Sequence, residues 1–207
     1  MKHTVFIFLF LFSTALAAQT SVRKQFKSIS RPEKIWAFTH PFVAKKAFKI
    51  TSIVRADVDS IKKANIIGTD ENGGQLDAFK HAYWMASVSL VIGTNKALKL
   101  GKAHEKGNYL EYKKHKLEDS ILPDSVSSAM DLANNEAGVA VFGNCRTVRN
   151  RRETQGKVLH ALTEGKLMVI KKDERGNYLT CDQHLIDMNR WKGKWGIPKC
   201  LIASDQH

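Results

Sequence analysis

Apolar residues recur at helical spacing through most of the chain. Between Pro32 and about Val58 they are Ile35, Trp36, Phe38, Phe42, Val43, Ala47 and Phe48. This spacing predicts helix, with a break or kink at Pro41. After a loop over GTDENGG, Gly68 to Gly74, a strong helix is predicted from about Gln75 to Ile92, because Gly93 provides a stop.

Three further helices are predicted downstream. Thr94 or Asn95 can cap a helix that runs to about Lys106, before Gly107-Asn108. The charged segment YLEYKKHKLEDSILPDS is predicted to be irregular or partly helical. Pro123-Asp124-Ser125 opens the next helix, which is predicted to reach Gly143. The last helix is predicted from about Glu153 to Glu164, where Gly165 ends it.

The pattern changes after Gly165. LMVIKKDERGNYLTC predicts two short strands around a turn at Arg175-Gly176-Asn177, and the remaining residues show no clear period. The predicted fold is therefore mainly α, a compact helical domain with a small C-terminal β-hairpin or irregular appendage. Since no linker divides the chain, residues 18–207 are predicted to form a single mainly helical domain.

The first residues have the three parts of a secretory signal peptide. Lys2 supplies the positive start, Val5 to Phe12 form a short apolar core, and Ala15-Leu16-Ala17 fits the cleavage rule. The apolar run is too short to span a bilayer, and no later segment looks transmembrane. The sequence thus predicts a secreted or periplasmic protein, residues 1–17 being removed near Ala17, without a stable transmembrane anchor.

The formal net charge of +13 favours anionic partners. Envelope phosphates, lipid headgroups and nucleic acid all fit this charge, but the basic residues are scattered, with clusters at Lys45-Lys46, Lys113–Lys116 and Arg146–Arg152. No recognisable nucleic-acid module accompanies them. A merely solvated basic surface is thus the favoured interpretation, an anionic envelope component is the alternative as a partner, and nucleic acid is not expected.

Three cysteines remain after signal removal: Cys145, Cys181 and Cys200. In an oxidising compartment Cys181 and Cys200 could pair, which would contribute about 3 kcal/mol. Cys145 would then be left over, free or buried.

Polar residues interrupt the apolar faces of three predicted helices. They are Asp77, His81 and Trp84 on the first, His104 and Glu105 on the second, and Asp131, Asn134 and Asn135 on the third. Residues three or four apart share a helix face. Asn and Asp are poor residues for a helix interior, so their presence needs a compensating reason. Gly138 continues the third stripe and would permit close approach of another backbone or a ligand.

Two chemistries suit this set if the three faces converge. His81, His104 and Asp131 could bind a divalent metal ion, zinc if the nitrogens dominate or calcium if oxygens do. Alternatively, Asp77 could orient His81 for proton transfer, with Glu105 as acid or base. Asn134, Asn135 and Trp84 are candidates for substrate binding. Each of these residues could equally serve packing or an interhelical hydrogen-bond network.

The motifs DAFKHAYW, AHE, MDLANNEAG and GKL occur in an order that resembles a bacterial domain family of unknown function. The family pattern is D-A-x-R-H-x-x-W, A-H-E and M-D-x-x-N-N-x-x-G, and the similarity covers roughly Asn72 to Leu167. The resemblance implies an exported or envelope-associated helical domain with a shared polar centre. That centre would contain Asp77, His81, His104, Glu105, Asp131, Asn134 and Asn135. Lys80 and Ala133 depart from the family's usual residues.

The sequence therefore supports three hypotheses. The first is an exported hydrolase-like protein that acts on a cell-envelope component and is metal-assisted. The second is a non-catalytic envelope binding protein whose polar residues form a structural network, and a weaker third is a basic toxin or nuclease. A site predicts that the polar faces surround an open pocket, whereas a structural network predicts full mutual hydrogen bonding.

Overall fold

The computed structural model describes residues 26–116, 122–142 and 150–206, so the predicted signal peptide and Cys145 lie outside the described residues. The described chain is mainly helical, as predicted, with one small antiparallel sheet. Its elements are α1 Arg31–Thr39, α2 Pro41–Lys63, α3 Gln75–Ile92, α4 Thr94–His115, α5 Ser125–Ala140, α6 Arg151–Thr163, β1 Met168–Ile170 and β2 Leu201–Ala203. None of the helices in these ranges combines the length and apolarity needed to cross a bilayer.

Helix α3 lies at the centre of the fold. Its sequence is apolar on every side, which is typical of a helix surrounded by others, and it contacts α2, α4, α5, α6 and β1. It has the predicted bounds, and Gly93 ends it with φ +85°. Helix α5 crosses it very closely, because a Cβ on Gly138 would lie 2.1 Å from the carbonyl oxygen of Ala82. The predicted close backbone approach at Gly138 is thus confirmed.

Local capping residues set several helix starts. Asp124 accepts hydrogen bonds from the backbone N–H groups of Val126 and Ser127 at the start of α5. Asn150 caps α6 by accepting from the N–H of Glu153, so this helix begins at Arg151, two residues before the predicted start. The predicted break at Pro41 is also present, since His40 separates α1 from α2. Helix α5 ends at Ala140, earlier than predicted.

The prediction that the helix after Gly93 ends near Lys106 was wrong, because α4 continues to His115. Gly107 lies inside α4, where a Cβ would come within 2.4 Å of Ser30 Oγ. Beyond it, the rings of Tyr109 and Tyr112 pack on Trp195 at 4.9 and 4.8 Å. Close packing against Ser30 therefore explains why a glycine is needed inside this helix, and contacts with Trp195 stabilise the helix beyond it.

The predicted pairing of two strands around Gly176 was also wrong. Strand β1 pairs instead with β2 from the end of the chain, with Val169 opposite Ile202. The turn itself is present: Gly176 has φ +82°, and the carboxylate of Asp173 accepts hydrogen bonds from backbone N–H groups within the turn. Among the described residues, however, the two sides of this turn are joined only by one isolated antiparallel β-bridge, between Lys172 and Tyr178, and form no hairpin of two strands.

A disulfide joins Cys181 to Cys200, the two cysteines whose pairing the sequence allowed. A loop of this size contributes about 3 kcal/mol in the chain-entropy description. The bond holds Lys199 beside α5, where its buried ammonium lies 2.6 Å from the carboxylate of Asp124. The C-terminal segment is therefore fixed next to the N-terminus of α5.

Candidate functional site

Asp77, His81 and Asp131 come together between α3 and α5. The Nε2 atom of His81 lies 3.7 Å from Asp77 Oδ1 and 3.4 Å from Asp131 Oδ1. One donor atom from each of the three residues lies within 4.8 Å of the others, and all three side chains are buried. Asp77 and His81 are one helical turn apart on α3, and the close crossing at Gly138 brings α5 near enough to add Asp131.

Asp77 is held in place from two sides. Its Oδ2 accepts a hydrogen bond of 2.9 Å from the backbone N–H of Gly73, in the loop before α3. Its Oδ1 accepts from the ammonium of Lys80, one turn later on the same helix. Burial alone would lower the pKa of Lys80, but the Asp77 carboxylate raises it above the ordinary value. Lys80 therefore stays charged and positions the carboxylate.

Several buried polar atoms of this region have no hydrogen-bond partner among the described residues. They are His81 Nδ1, Asp131 Oδ1, Glu105 Oε1, and Nδ2 and Oδ1 of Asn135. Asn135 lies close enough to His81 to influence its pKa, but the pair lacks hydrogen-bond geometry. Buried polar groups are usually paired. Of these residues, His81 and Asp131 line the polar cavity described below, so a ligand bound there can approach them.

The carboxylates of the centre disfavour one another's charge. Burial, followed by the nearby charges of Asp77 and Glu105, raises the pKa of Asp131 well above its usual value. Burial also raises the pKa of Glu105. In contrast, burial and the neighbouring Lys80 lower the pKa of His81. The arrangement thus combines a neutral imidazole with carboxylates whose repulsion a cation or a proton would relieve.

Glu105 is close enough to Asp131 to contribute to its raised pKa. Its Oε2 accepts a hydrogen bond of 3.1 Å from the side-chain amide of Asn108, one turn along α4. Among the described residues, Asp77, His81 and Asp131 line a polar cavity, which is described below. Glu105 and Asn135 do not line it. These two predicted site residues therefore neighbour the Asp77–His81–Asp131 group without lining the cavity.

His104 pairs with Glu33, which was not among the site residues predicted from the sequence. Its Nδ1 lies 3.1 Å from Oε1 of Glu33 on α1. Although burial acts to raise the pKa of Glu33, hydrogen bonds and charge from His104, together with Ser30, lower it to about 2. The imidazole rings of His104 and His81 are 6.2 Å apart. His104, a predicted metal ligand, therefore stands beside the Asp77–His81–Asp131 group and not within it.

Two cavities meet at this centre. The first, of about 210 Å³, is lined by Asp77, His81, His104 and Asp131, with Tyr178 on the C-terminal side. The second, of about 100 Å³, has mainly apolar walls formed by Phe48, Val54, Trp84 and Leu100. Lys80, His81 and His104 belong to the walls of both. A polar chamber thus adjoins a small apolar one.

The remaining predicted substrate-binding residues have structural contacts. The side-chain amide of Asn134 donates to the carbonyl of Met168 and accepts from its N–H, both at 2.8 Å. Asn134 therefore connects α5 to β1. The indole N–H of Trp84 donates to Thr51 Oγ1 at 2.9 Å, which fixes its ring as a wall of the apolar cavity.

The fold and the centre define a mainly α-helical protein with a buried Asp–His–Asp group at the edge of a polar cavity. Residues 34–166, more than half of the chain, match the family DUF6973, described as a domain of unknown function, and the chain belongs to that family. No curated protein and no solved structure shows significant similarity to it. The match begins well before Asn72, where the recognised motifs start, and so includes α2 and most of α1.

Proposed function

We propose that the protein is an exported hydrolase that acts on a cell-envelope component, with a divalent metal ion held by Asp77, His81 and Asp131. The observation that supports this most directly is the convergence of these three buried side chains beside a cavity. An acidic pair alone would carry little weight. The imidazole and the unpaired buried atoms around it make the group suitable for a ligand.

The donor set favours a zinc-like ion over calcium. Imidazole nitrogen and carboxylate oxygen are both ligand types that zinc accepts, and three protein ligands leave a further position open, as in catalytic zinc sites. Calcium prefers six or more oxygen ligands, which this group does not supply from its three members. When bound, such an ion polarises the scissile bond and makes water more acidic.

His104 is the proposed proton-transferring residue, oriented by Glu33. A carboxylate with a pKa of about 2 is ionised and can only accept, so Nδ1 of His104 must carry the proton between them. The other nitrogen, Nε2, is then the one that exchanges a proton with substrate. The ring lines the polar cavity, where such a residue has to be.

Three residues act through their neighbours in this proposal. Lys80 holds Asp77 by an ion pair. Asn135 lies close to His81, and the charge of Glu105 contributes to the raised pKa of Asp131. Glu105, which the sequence suggested as a direct acid or base, is therefore assigned a positioning role.

The adjoining cavities indicate the form of the substrate. A hydrolysable polar group would occupy the larger cavity, and a small apolar substituent would occupy the apolar one. A volume of about 100 Å³ accommodates roughly four carbon atoms, by comparison with cavities that bind benzene. The net charge of +13 favours an anionic envelope component.

The competing proposal is a non-catalytic envelope binding protein, in which the same residues form a structural network. It draws support from Asn134, whose amide is fully engaged with the backbone of Met168. The unpaired atoms of His81, Asp131 and Asn135 favour the first proposal, because a purely structural network should satisfy them.

Metal analysis of the purified protein distinguishes the metal-dependent hydrolase from the non-catalytic binding protein. After exposure to zinc and dialysis, we expect about one ion per wild-type chain, and at least tenfold less in His81→Ala and Asp131→Ala. His104→Ala is the matched control, since it lies in the same cavity but outside the metal group and should retain the ion. On model esters and phosphodiesters, this control should lose about 100-fold in kcat. A wild-type protein that binds no zinc, with variants that are only less stable, would overturn the metal assignment.

A further inference from the structure

An exposed apolar surface lies at the corner between α1 and α2. Phe38 and Phe42 are 85% and 92% exposed, and Ile35, one turn before Phe38, is 56% exposed. On the same helix α1, Trp36 and Ala37 are buried and hold the helix against the fold. Isolated exposed apolar residues are ordinary, but three large ones between positions 35 and 42, on both sides of the break between α1 and α2, favour an interaction surface. We refer to Ile35, Phe38 and Phe42 as the aromatic corner.

Three lysines share the helix face of Phe42. Lys45, Lys46 and Lys49 follow it at three, four and seven residues, which places them on one side of α2, and all three are exposed. Within the described chain, none of them takes part in an ion pair. The sequence also contains no Asp or Glu from Lys34 to Ala56. The aromatic corner therefore borders a surface with uncompensated positive charge.

The two acidic residues that flank this stretch, Glu33 and Asp57, do not offset the charge. The carboxylate of Asp57 accepts a hydrogen bond from the Tyr83 hydroxyl and pairs with Arg151. Glu33 directs its carboxylate toward His104 and Ser30, on the side of α1 that faces α4. The corner is thus apolar at its tip and cationic along α2, with no acidic side chain in the intervening sequence. This is the composition of segments that bind at the interface of anionic membranes.

We propose that the aromatic corner and its three lysines dock the protein on the surface of an anionic lipid bilayer. Phe38 and Phe42 would enter the boundary between headgroups and acyl chains, and the lysines would contact lipid phosphates. A protein partner fits less well, because lysine is depleted from the centres of protein interfaces. The proposal does not depend on the proposed hydrolase activity.

Docking in this way would hold the candidate site near the membrane. Helix α2 also contributes Val54 to the wall of the apolar cavity, twelve residues after Phe42. At a rise of about 1.5 Å per residue, the two positions are about 18 Å apart along the helix. A substrate drawn from the membrane would therefore have a short path to the cavity.

Vesicle co-sedimentation tests the proposal. The protein is purified in its mature form, with its N-terminus defined by mass spectrometry, and mixed with phosphatidylglycerol–phosphatidylethanolamine or pure phosphatidylcholine vesicles. We expect binding to the anionic vesicles, at least tenfold weaker binding to the neutral ones, and at least a tenfold loss in Phe38→Ser/Phe42→Ser. Lys45→Glu/Lys46→Glu should lose a similar factor.

Two variants match these changes elsewhere on the surface. Ile66→Ser/Leu185→Ser removes two other exposed apolar side chains, and Lys113→Glu/Lys114→Glu makes the same change in charge at the far end of α4. Both should bind within about threefold of wild type, and all variants should melt within a few degrees of it. If the control variants lost as much binding, the interaction would be a general charge attraction not specific to the aromatic corner, and the proposal would be overturned. A wild-type dimer that Phe38→Ser/Phe42→Ser converts to monomer would assign the corner to a second copy of the chain instead.

Discussion

Glu33 Oε1 and His104 Nδ1 lie 3.1 Å apart although 71 residues separate them in the chain. The contact joins α1 to α4 and makes α1 part of the candidate site. Glu33 also accepts from Ser30 in a capping box, so one carboxylate both starts α1 and orients a cavity-lining imidazole. The candidate site therefore draws on four helices: α3 and α5 supply the Asp77–His81–Asp131 group, and α1 and α4 supply the Glu33–His104 pair.

Replacing Glu33 should make the stability of the protein less dependent on pH in the acidic range. The pKa of Glu33 is about 2 in the folded protein and about 4.5 without the fold. Its ionised form thus favours folding above about pH 4.5, and this contribution is lost as the pH falls toward 2. At pH 7, Glu33→Gln should lower the free energy of unfolding by about 2 kcal/mol, after allowance for partial exposure.

Urea denaturation between pH 2 and 7 measures this effect. The difference between wild type and Glu33→Gln should shrink steadily below pH 4.5. Glu174→Gln, at an exposed position of the C-terminal turn, should follow wild type throughout. A difference that stays constant with pH would mean that the Glu33 carboxylate is not held by His104.

The effect of Asp131→Asn should change sign with metal. In EDTA, the variant should be more stable than wild type, because burial and the nearby charges of Asp77 and Glu105 disfavour the Asp131 carboxylate. With excess zinc, wild type should gain stability by binding the ion, whereas the variant should gain much less. Thermal unfolding with and without zinc measures both; the same order of stability in the two conditions would argue against a metal site.

Asn134 and Asn135 should respond differently to truncation. Their exposed fractions are 0% and 1%, so the two substitutions are matched for burial. Asn134→Ala should lower the free energy of unfolding by about 3 kcal/mol, because it leaves the N–H and carbonyl of Met168 unpaired. Asn135→Ala should cost about 1 kcal/mol or less. Chemical denaturation decides; equal losses would show that Asn135 has a structural role as well.

Adding a methyl group should be harmful at Gly138 and helpful at Gly156. At Gly138 the new Cβ would meet the Ala82 carbonyl at 2.1 Å, so α3 and α5 must separate and Gly138→Ala should cost about 3 kcal/mol. At Gly156, within α6, nothing lies within 4 Å, and Gly156→Ala should stabilise by about 0.5–1 kcal/mol through helix propensity. Gly138→Ala should also weaken metal binding, because Asp131 moves with α5.

Local sequence was sufficient where local chemistry sets the structure. The bounds of α3 follow from an apolar run and a terminal glycine, and the start of α5 follows from the capping Asp124. Prediction from local sequence failed where contacts with distant segments set the structure. Gly107 looks like a helix stop until Ser30 is placed against it, and β1 takes its partner from the end of the chain because Asn134 and the disulfide fix both strands nearby.

The candidate site divides in the same way. The residues Asp77, His81 and Asp131 stand out in the sequence, because polar groups on apolar helix faces are unfavourable without a purpose. Their convergence required the α3–α5 crossing at Gly138.

The sequence by itself determined the helical class of this protein and most of its polar centre, since periodicity and residue type are local properties. Only the tertiary structure decided that His104 pairs with Glu33, that Asn134 is a strut, and that Phe38 and Phe42 face solvent. Each of these depends on which helix faces meet, and helix spacing along the chain does not specify that.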